Sequence, residues 1–136
     1  MVAYNFQERF VSRIEDGSKR QTIRRDRALS GRHARPGEVL QLYTGMRTGR
    51  CRLIRDDVVC TEARPCHITF APYGLITNIT VGGFRVRFLR EFASGDGFDS
   101  LADMSRFFVD AYGSGPFEGV LIEWAVPRKS SERTAA

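Results

Sequence analysis

Gly17-Ser18-Lys19-Arg20-Gln21-Thr22-Ile23-Arg24-Arg25 is the stretch on which the fold turns. Upstream of it, Asn5 followed by Glu8 has the spacing of a capping box. Phe6, Phe10 and Ile14 follow at i, i+4 and i+8 with Val11 beside them, one apolar stripe at helical period. A helix over about 6–16 is therefore predicted, with Gly17 as its left-handed cap. Downstream, Gln21–Arg24 reads as a short extended segment. Thr22 and Arg24 share one face of such a strand, and Lys19 would point away from them. The three can line one pocket only if the chain bends just after the helix, where Gly17 stands. They would then offer an ammonium, a hydroxyl and a guanidinium, a set suited to a phosphate or a polarised carbonyl oxygen. A junction whose charges simply face water is the competing reading.

Working outward, residues 26–37 form a basic loop punctuated by Gly31 and ended by Pro36-Gly37. Val39–Tyr43 is a predicted strand, 44–49 a turn, and Arg50–Cys60 a returning strand with a bend or bulge at Asp56-Asp57. A further strand is expected at His67–Phe70. Ile76–Val81, Gly82-Gly83 and Phe84–Phe88 form the clearest hairpin, because Gly-Gly permits a primed turn. Asp99 is placed to cap a second helix over about 100–112, with Leu101, Met104, Phe107 and Phe108 inward. Gly113–Pro116 end it, and Val120–Trp124 is the last strand. Six or seven strands in mostly antiparallel order with two principal helices predict an α+β fold, the strands curling into a barrel with a helix at one end. One domain over 1–127 accounts for the pattern, and the polar tail 128–136 is expected to fray.

The chain has 136 residues, 42% hydrophobic and 27% charged, which is globular composition for one domain. No apolar run approaches the ~20 residues of a membrane span. Met1–Asn5 lacks a basic n-region leading into an apolar stretch, so no secretory leader is expected. Three cysteines are too few and too odd for a disulfide framework, and a cytoplasmic location is expected. The net charge of +5 is uneven: residues 1–66 hold 14 Lys/Arg against 8 Asp/Glu, and 67–136 hold 7 against 8. Residues 18–35 carry seven bases and one acid. Such a patch attracts polyanions, and a solvated Arg-rich loop would have the same composition.

Taken in order, Gly17-x-Lys19-x-x-Thr22-Ile23-Arg24, Pro36-Gly37-Glu38, Leu42-Tyr43-Thr44-Gly45-Met46-Arg47-Thr48 and Asp96-Gly97-Phe98 before a helix resemble the ASCH domain. The resemblance runs from about Asn5 to Trp124. It implies a PUA-like β-barrel whose relatives bind RNA or modified nucleotides, with a cleft lined by the GxKxxTxR segment. Arg24, Arg25, Tyr43 and Arg47, in the matched segments, would then contact substrate. Some small ASCH proteins are hydrolases: one branch deacetylates N4-acetylcytidine with a lysine, a threonine and a glutamate, and another member is a ribonuclease. Lys19 and Thr22 match the first two positions, and the third falls at or next to Asp96, where relatives often have Glu. The implied mechanism is acyl transfer. Lys19, its pKa lowered by burial and by Arg24, would act as base for Thr22 or a water, while Asp96 orients or relays a proton. Asp is one methylene shorter than Glu, so the resemblance implies an RNA- or nucleoside-binding cleft first and hydrolysis second.

Other groups are weaker. The spacings among Cys51, Cys60, Cys66 and His67 lack a paired CxxC knuckle, so neither metal nor cofactor is expected. Cys51 and Cys60 are read as buried strand residues and Cys66-His67 as a turn. His33 is read as a surface residue, to be paired with Lys19 if the protein cuts RNA. Tyr43, Phe84 and Phe88 have the chemistry to stack on bases; alternation in apolar strands assigns Phe84 and Phe88 to the core, while Tyr43 abuts the turn and is a candidate for the cleft.

Overall fold

The computed structural model describes residues 2–25 and 32–127; residues 26–31 of the basic loop and the tail 128–136 lie outside the described residues. Its architecture is α+β: a mixed seven-stranded sheet with three helices. The strands are β1 Val2–Phe6, β2 Gln21–Arg24, β3 Val39–Thr44, β4 Arg52–Phe70, β5 Ile76–Val81, β6 Phe84-Arg85 and β7 Phe117–Ala125. The helices are α1 Val11–Glu15, α2 Leu89–Gly95 and α3 Leu101–Tyr112.

β4 is the spine. One edge of its 19 residues takes β3 along the first half and β5 along the second, while the other edge takes β7. β7 pairs onward with β2, and β3 with β1. Every pairing is antiparallel except β1 with β3, whose parallel register needs the crossover that α1 and β2 occupy. β1, β2 and β6 thus end the sheet, and among the described residues no ladder closes it into a barrel. Arg24 spans the gap between β1 and β2, donating from Nη2 to the Asn5 carbonyl at 2.6 Å.

Inward-pointing residues of β3, β4, β5 and β7, among them Leu40, Leu42, Val58, Ile68, Ile79, Leu121 and Ile122, make the core. α3 closes over it with Met104 and Phe108. Ser105 ties α3 to the sheet: its Oγ accepts from the Ile76 amide at 2.9 Å and donates to the Leu101 carbonyl at 2.7 Å. No helix among the described residues is long and apolar enough to cross a membrane.

Several sequence expectations are corrected. Asn5 caps no helix; it lies in β1, whose alternating burial is that of a strand, and its Oδ1 accepts from the Met46 amide. The helix is shortened to a 3-10 turn at Glu8–Phe10 followed by α1, because pairing with β3 claims Phe6. The irregularity expected at Asp56-Asp57, by contrast, is present as a bulge: β4 continues through it, but Leu40 faces Val58 and Leu42 faces Arg55, so the two aspartates stand opposite Gln41 alone, with Asp57 held by Arg55 at 2.6 and 2.9 Å. Cys66-His67 is mid-strand rather than a turn, and Cys51 is exposed outside the strand. The cap of α3 is Ser100, accepting from the Asp103 amide, and not Asp99, which pairs with Arg13. α2 was not foreseen, and the strand expected to reach Phe88 stops at Arg85.

Ser105→Ala strands the buried Ile76 N–H. It should cost about 1–3 kcal/mol, measurable as a lower urea midpoint with unchanged slope.

Candidate functional site

Gly17 is where the chain turns. Its φ of +82° is open to glycine at little cost. The Lys19 amide bonds back to the Arg13 carbonyl, so the bend is tight and sends the Lys19 side chain inward. Lys19 ends 2% exposed. The sequence condition for assembling the cleft is therefore met. Lys19, Thr22, Arg24 and Asp96 line one cavity of about 250 Å³ beside the gap between β1 and β2.

Asp96 reaches the cavity from the far end of α2, whose last turn it caps. It too is 2% exposed. Lys19 Nζ donates to the Asp96 backbone carbonyl at 2.5 Å, and the carboxylate Oδ1 stands 3.5 Å from the same nitrogen. Gln21 Nε2 donates to that oxygen at 3.4 Å. The next residue must be glycine: at φ +95°, a Cβ on Gly97 would lie 2.8 Å from Lys19 Cδ and 3.0 Å from the Phe10 ring. Arg13 holds this corner from outside, donating to the Gly97 carbonyl and the Asp99 carboxylate.

Burial lowers the pKa of Lys19, opposed by the Asp96 charge and reinforced by Arg24. Burial likewise raises that of Asp96, against the pull of Lys19. Both shifts disfavour charge, so the amine is drawn toward its neutral, basic form. On the other side of the cleft, Thr22 Oγ1 accepts from Arg24 Nε at 3.0 Å. The hydroxyl oxygen is thereby held, and its own proton is left to be donated elsewhere. The Arg24 guanidinium lies over the Phe6 and Tyr4 rings at 4.7 and 5.4 Å.

The remaining wall is aromatic. Phe10, Phe98, Phe107, Phe108 and Tyr112 line the cavity and contact one another edge-on or tilted, with centroids 4.9–6.4 Å apart across the wider Phe117 cluster. Of this wall, Phe10, Phe107 and Phe108 are read from the sequence as buried helix residues, since helical spacing cannot separate a packed ring from one bordering a cavity; Tyr112 carries no signal there. Gln21 was also missed, although strand alternation groups it with Lys19.

The other expected contacts divide. Arg25 stacks on Tyr112 at 4.7 Å, beside the cavity rim. Tyr43 is half-buried on the face of β3 opposite the buried Leu42 and Thr44, and does not line the cavity. Arg47 is exposed in the turn after β3, at φ +65°, and is also absent from the lining. His33 is half-buried rather than on the surface: Nδ1 lies 3.1 Å from the Tyr4 hydroxyl and Nε2 2.6 Å from the Arg25 carbonyl. It does not line the cavity with Lys19. The Cys66 thiol, in β4, is pushed up to about 12 by burial, too high for a nucleophile.

Removing one member of the Lys19–Asp96 pair leaves the other buried and uncompensated. Lys19→Met and Asp96→Asn should each cost about 3 kcal/mol or more, and the double variant less than their sum. Strictly additive losses in urea titrations would show that the pair is not coupled.

No family model, curated protein or solved structure matches the chain.

Proposed function

We propose that the cleft binds the base of a modified nucleoside and hydrolyses an N4-acyl amide on it, the chemistry implied by the ASCH resemblance of the GxKxxTxR and Asp-Gly-Phe segments. The observation that carries this reading is the meeting of Lys19 and Asp96 in one buried corner, with Thr22 on the same cavity. The shorter Asp side chain was the reason to rank hydrolysis second. With Asp96 at the end of α2, its carboxylate nevertheless lies 3.5 Å from the lysine nitrogen.

The size of the site agrees. A cavity of about 250 Å³ is close to the lower end of small-ligand pockets, ~300 Å³. That suits one nucleoside or one base splayed from a strand. The aromatic wall supports apolar contact with a base, and the Arg24 guanidinium supports an acyl oxygen as it gains charge.

In the proposed reaction the neutral Lys19 amine takes the proton of the attacking hydroxyl, that of Thr22 or of a water. The new C–O bond forms at the acyl carbon. Collapse of the adduct breaks the C–N4 bond, and Lys19 returns the proton to the departing amine. Attack by Thr22 leaves an acyl ester that water then cleaves; attack by water releases the acid directly. Asp96 keeps Lys19 in place and sets how readily it gains a proton.

Purified protein should release cytidine from N4-acetylcytidine, and Lys19→Ala should lower kcat by at least a hundredfold with the fold intact. Lys19→Arg, which stays protonated, should be equally inactive. Because the base must be unprotonated, the rate should rise with pH, through a midpoint below the ordinary lysine value of about 10.4. Asp96 raises the Lys19 pKa, so Asp96→Asn should move that midpoint to lower pH. An unmoved midpoint, or wild-type protein inert toward the nucleoside, would count against the mechanism. Trapped acyl-Thr22 in intact mass spectra would identify the nucleophile.

Binding of RNA or a nucleoside without turnover is the second reading. It is favoured by the hydrogen bond that Lys19 Nζ already makes to the Asp96 carbonyl. Unchanged N4-acetylcytidine that competes for a bound nucleoside would select it.

A further inference from the structure

Phe84 and Phe88, read from the sequence as core, are the two phenylalanines most exposed among the described residues. They are 80% and 66% exposed, at and just after β6. Among the described residues β6 is two residues long, pairs only with β5, and has both of its side chains exposed. Large exposed rings lose favourable burial unless something covers them. The sequence around them is Phe84-Arg85-Val86-Arg87-Phe88-Leu89-Arg90, aromatic and basic residues interleaved. Arg85, Arg87 and Arg90 are exposed, and among the described residues none of them is in an ion pair. Arg87 extends over the Phe88 ring at 5.8 Å.

The same segment borders a hollow of about 290 Å³ lined by Thr77, Asn78, Arg85, Val86, Arg87 and Leu89. Its lining combines a hydroxyl, an amide and two guanidinium groups. None of its residues lines the Lys19 cleft.

We infer that the β5–β6 hairpin and the start of α2 form a second site, a stacking surface for single-stranded nucleic acid. The chemistry selects this occupant. Unpaired arginines attract a phosphate backbone, exposed rings stack on unpaired bases, and an amide and a hydroxyl in the hollow can meet base edges. A lipid surface would use the rings and arginines but leave the amide-bearing hollow without a role. A duplex would bury its base faces in its own stack and leave the rings unused. The inference stands independently of hydrolysis in the cleft, since it rests on different residues.

The test is fluorescence anisotropy with a labelled single-stranded oligoribonucleotide of about twelve nucleotides, within the usual site sizes of such surfaces. Phe84→Ala/Phe88→Ala should weaken binding at least tenfold. Arg85→Gln/Arg87→Gln should weaken it and make the slope of log K against log salt shallower by about 1.4. All four side chains are exposed, so both variants should melt like the parent, and both should retain turnover of free N4-acetylcytidine if the cleft is catalytic. Lys19→Ala should bind the strand as the parent does. Parent-like affinity in both double variants would overturn the inference. So would strand binding lost in Lys19→Ala alone, which would assign it to the cleft. Loss in the phenylalanine variant of vesicle binding (phosphatidylserine with phosphatidylcholine) or of self-association in sedimentation, without loss of strand binding, would assign the rings to a membrane or a second copy and overturn it equally.

Discussion

A lysine amine held almost out of reach of water has to be compensated, and much of this molecule's first half and the Asp96–Asp99 corner are arranged to do so. Lys19 is brought inward by the bend at Gly17, and it finds both a backbone carbonyl and a carboxylate on one residue, Asp96. That meeting requires α2 to end where it does and Gly97 to lack a side chain. It also requires Arg13 to hold the Gly97–Asp99 corner from outside. Burying such a pair is a poor route to stability, because desolvation offsets much of the attraction. What the arrangement yields is an amine biased toward its neutral form at a fixed position.

The strongly basic segment at 18–35 divides along the same line. Lys19 and Arg24 are built into the cleft, Arg20 donates to the Gly17 carbonyl, and Arg32 grips Glu38 with two hydrogen bonds. The Arg32 guanidinium and the Arg35 amide hold the Glu38 carboxyl down at about 2. Much of a charge cluster that resembles a polyanion patch in the sequence is therefore engaged by protein acceptors. The less dense arginines of the hairpin carry no such partners among the described residues and face outward.

How far the fold could be read from the chain depended on whether its signals were local. The turn at Gly17, the hairpin at Gly82-Gly83, α3 and the α+β class all follow from residues close in sequence. So does the grouping of Lys19, Thr22 and Arg24. β1 was misread because Asn5, Glu8 and the Phe6/Phe10/Ile14 spacing satisfy a helical pattern, and only pairing with β3, more than thirty residues away, overrides it. α2 was missed because seven residues without a side-chain cap give almost no signal. Phe84 and Phe88 were misplaced because alternation says which residues share a face, but not whether anything covers it. Tyr43 abuts the turn after β3, which suggests the cleft, but its place in the strand puts it on the face opposite Leu42 and Thr44. Asp96 could be named only through family resemblance, since 77 residues separate it from Lys19 and nothing local joins them.

That separation also bears on how the protein comes to be folded. β4 and β5 meet across a short turn, so their ladder closes at small entropic cost. β2 must find β7 about a hundred residues later, with Gln21 opposite Glu123. β1 must reach β3 by a crossover, and Asp96 must be delivered to Lys19 from the other half of the chain. The contacts that make the cleft are thus among the most distant in sequence, the class that slows folding most. A chain stalled before they form would already have its β4–β5 hairpin and its exposed rings, and would have no cleft.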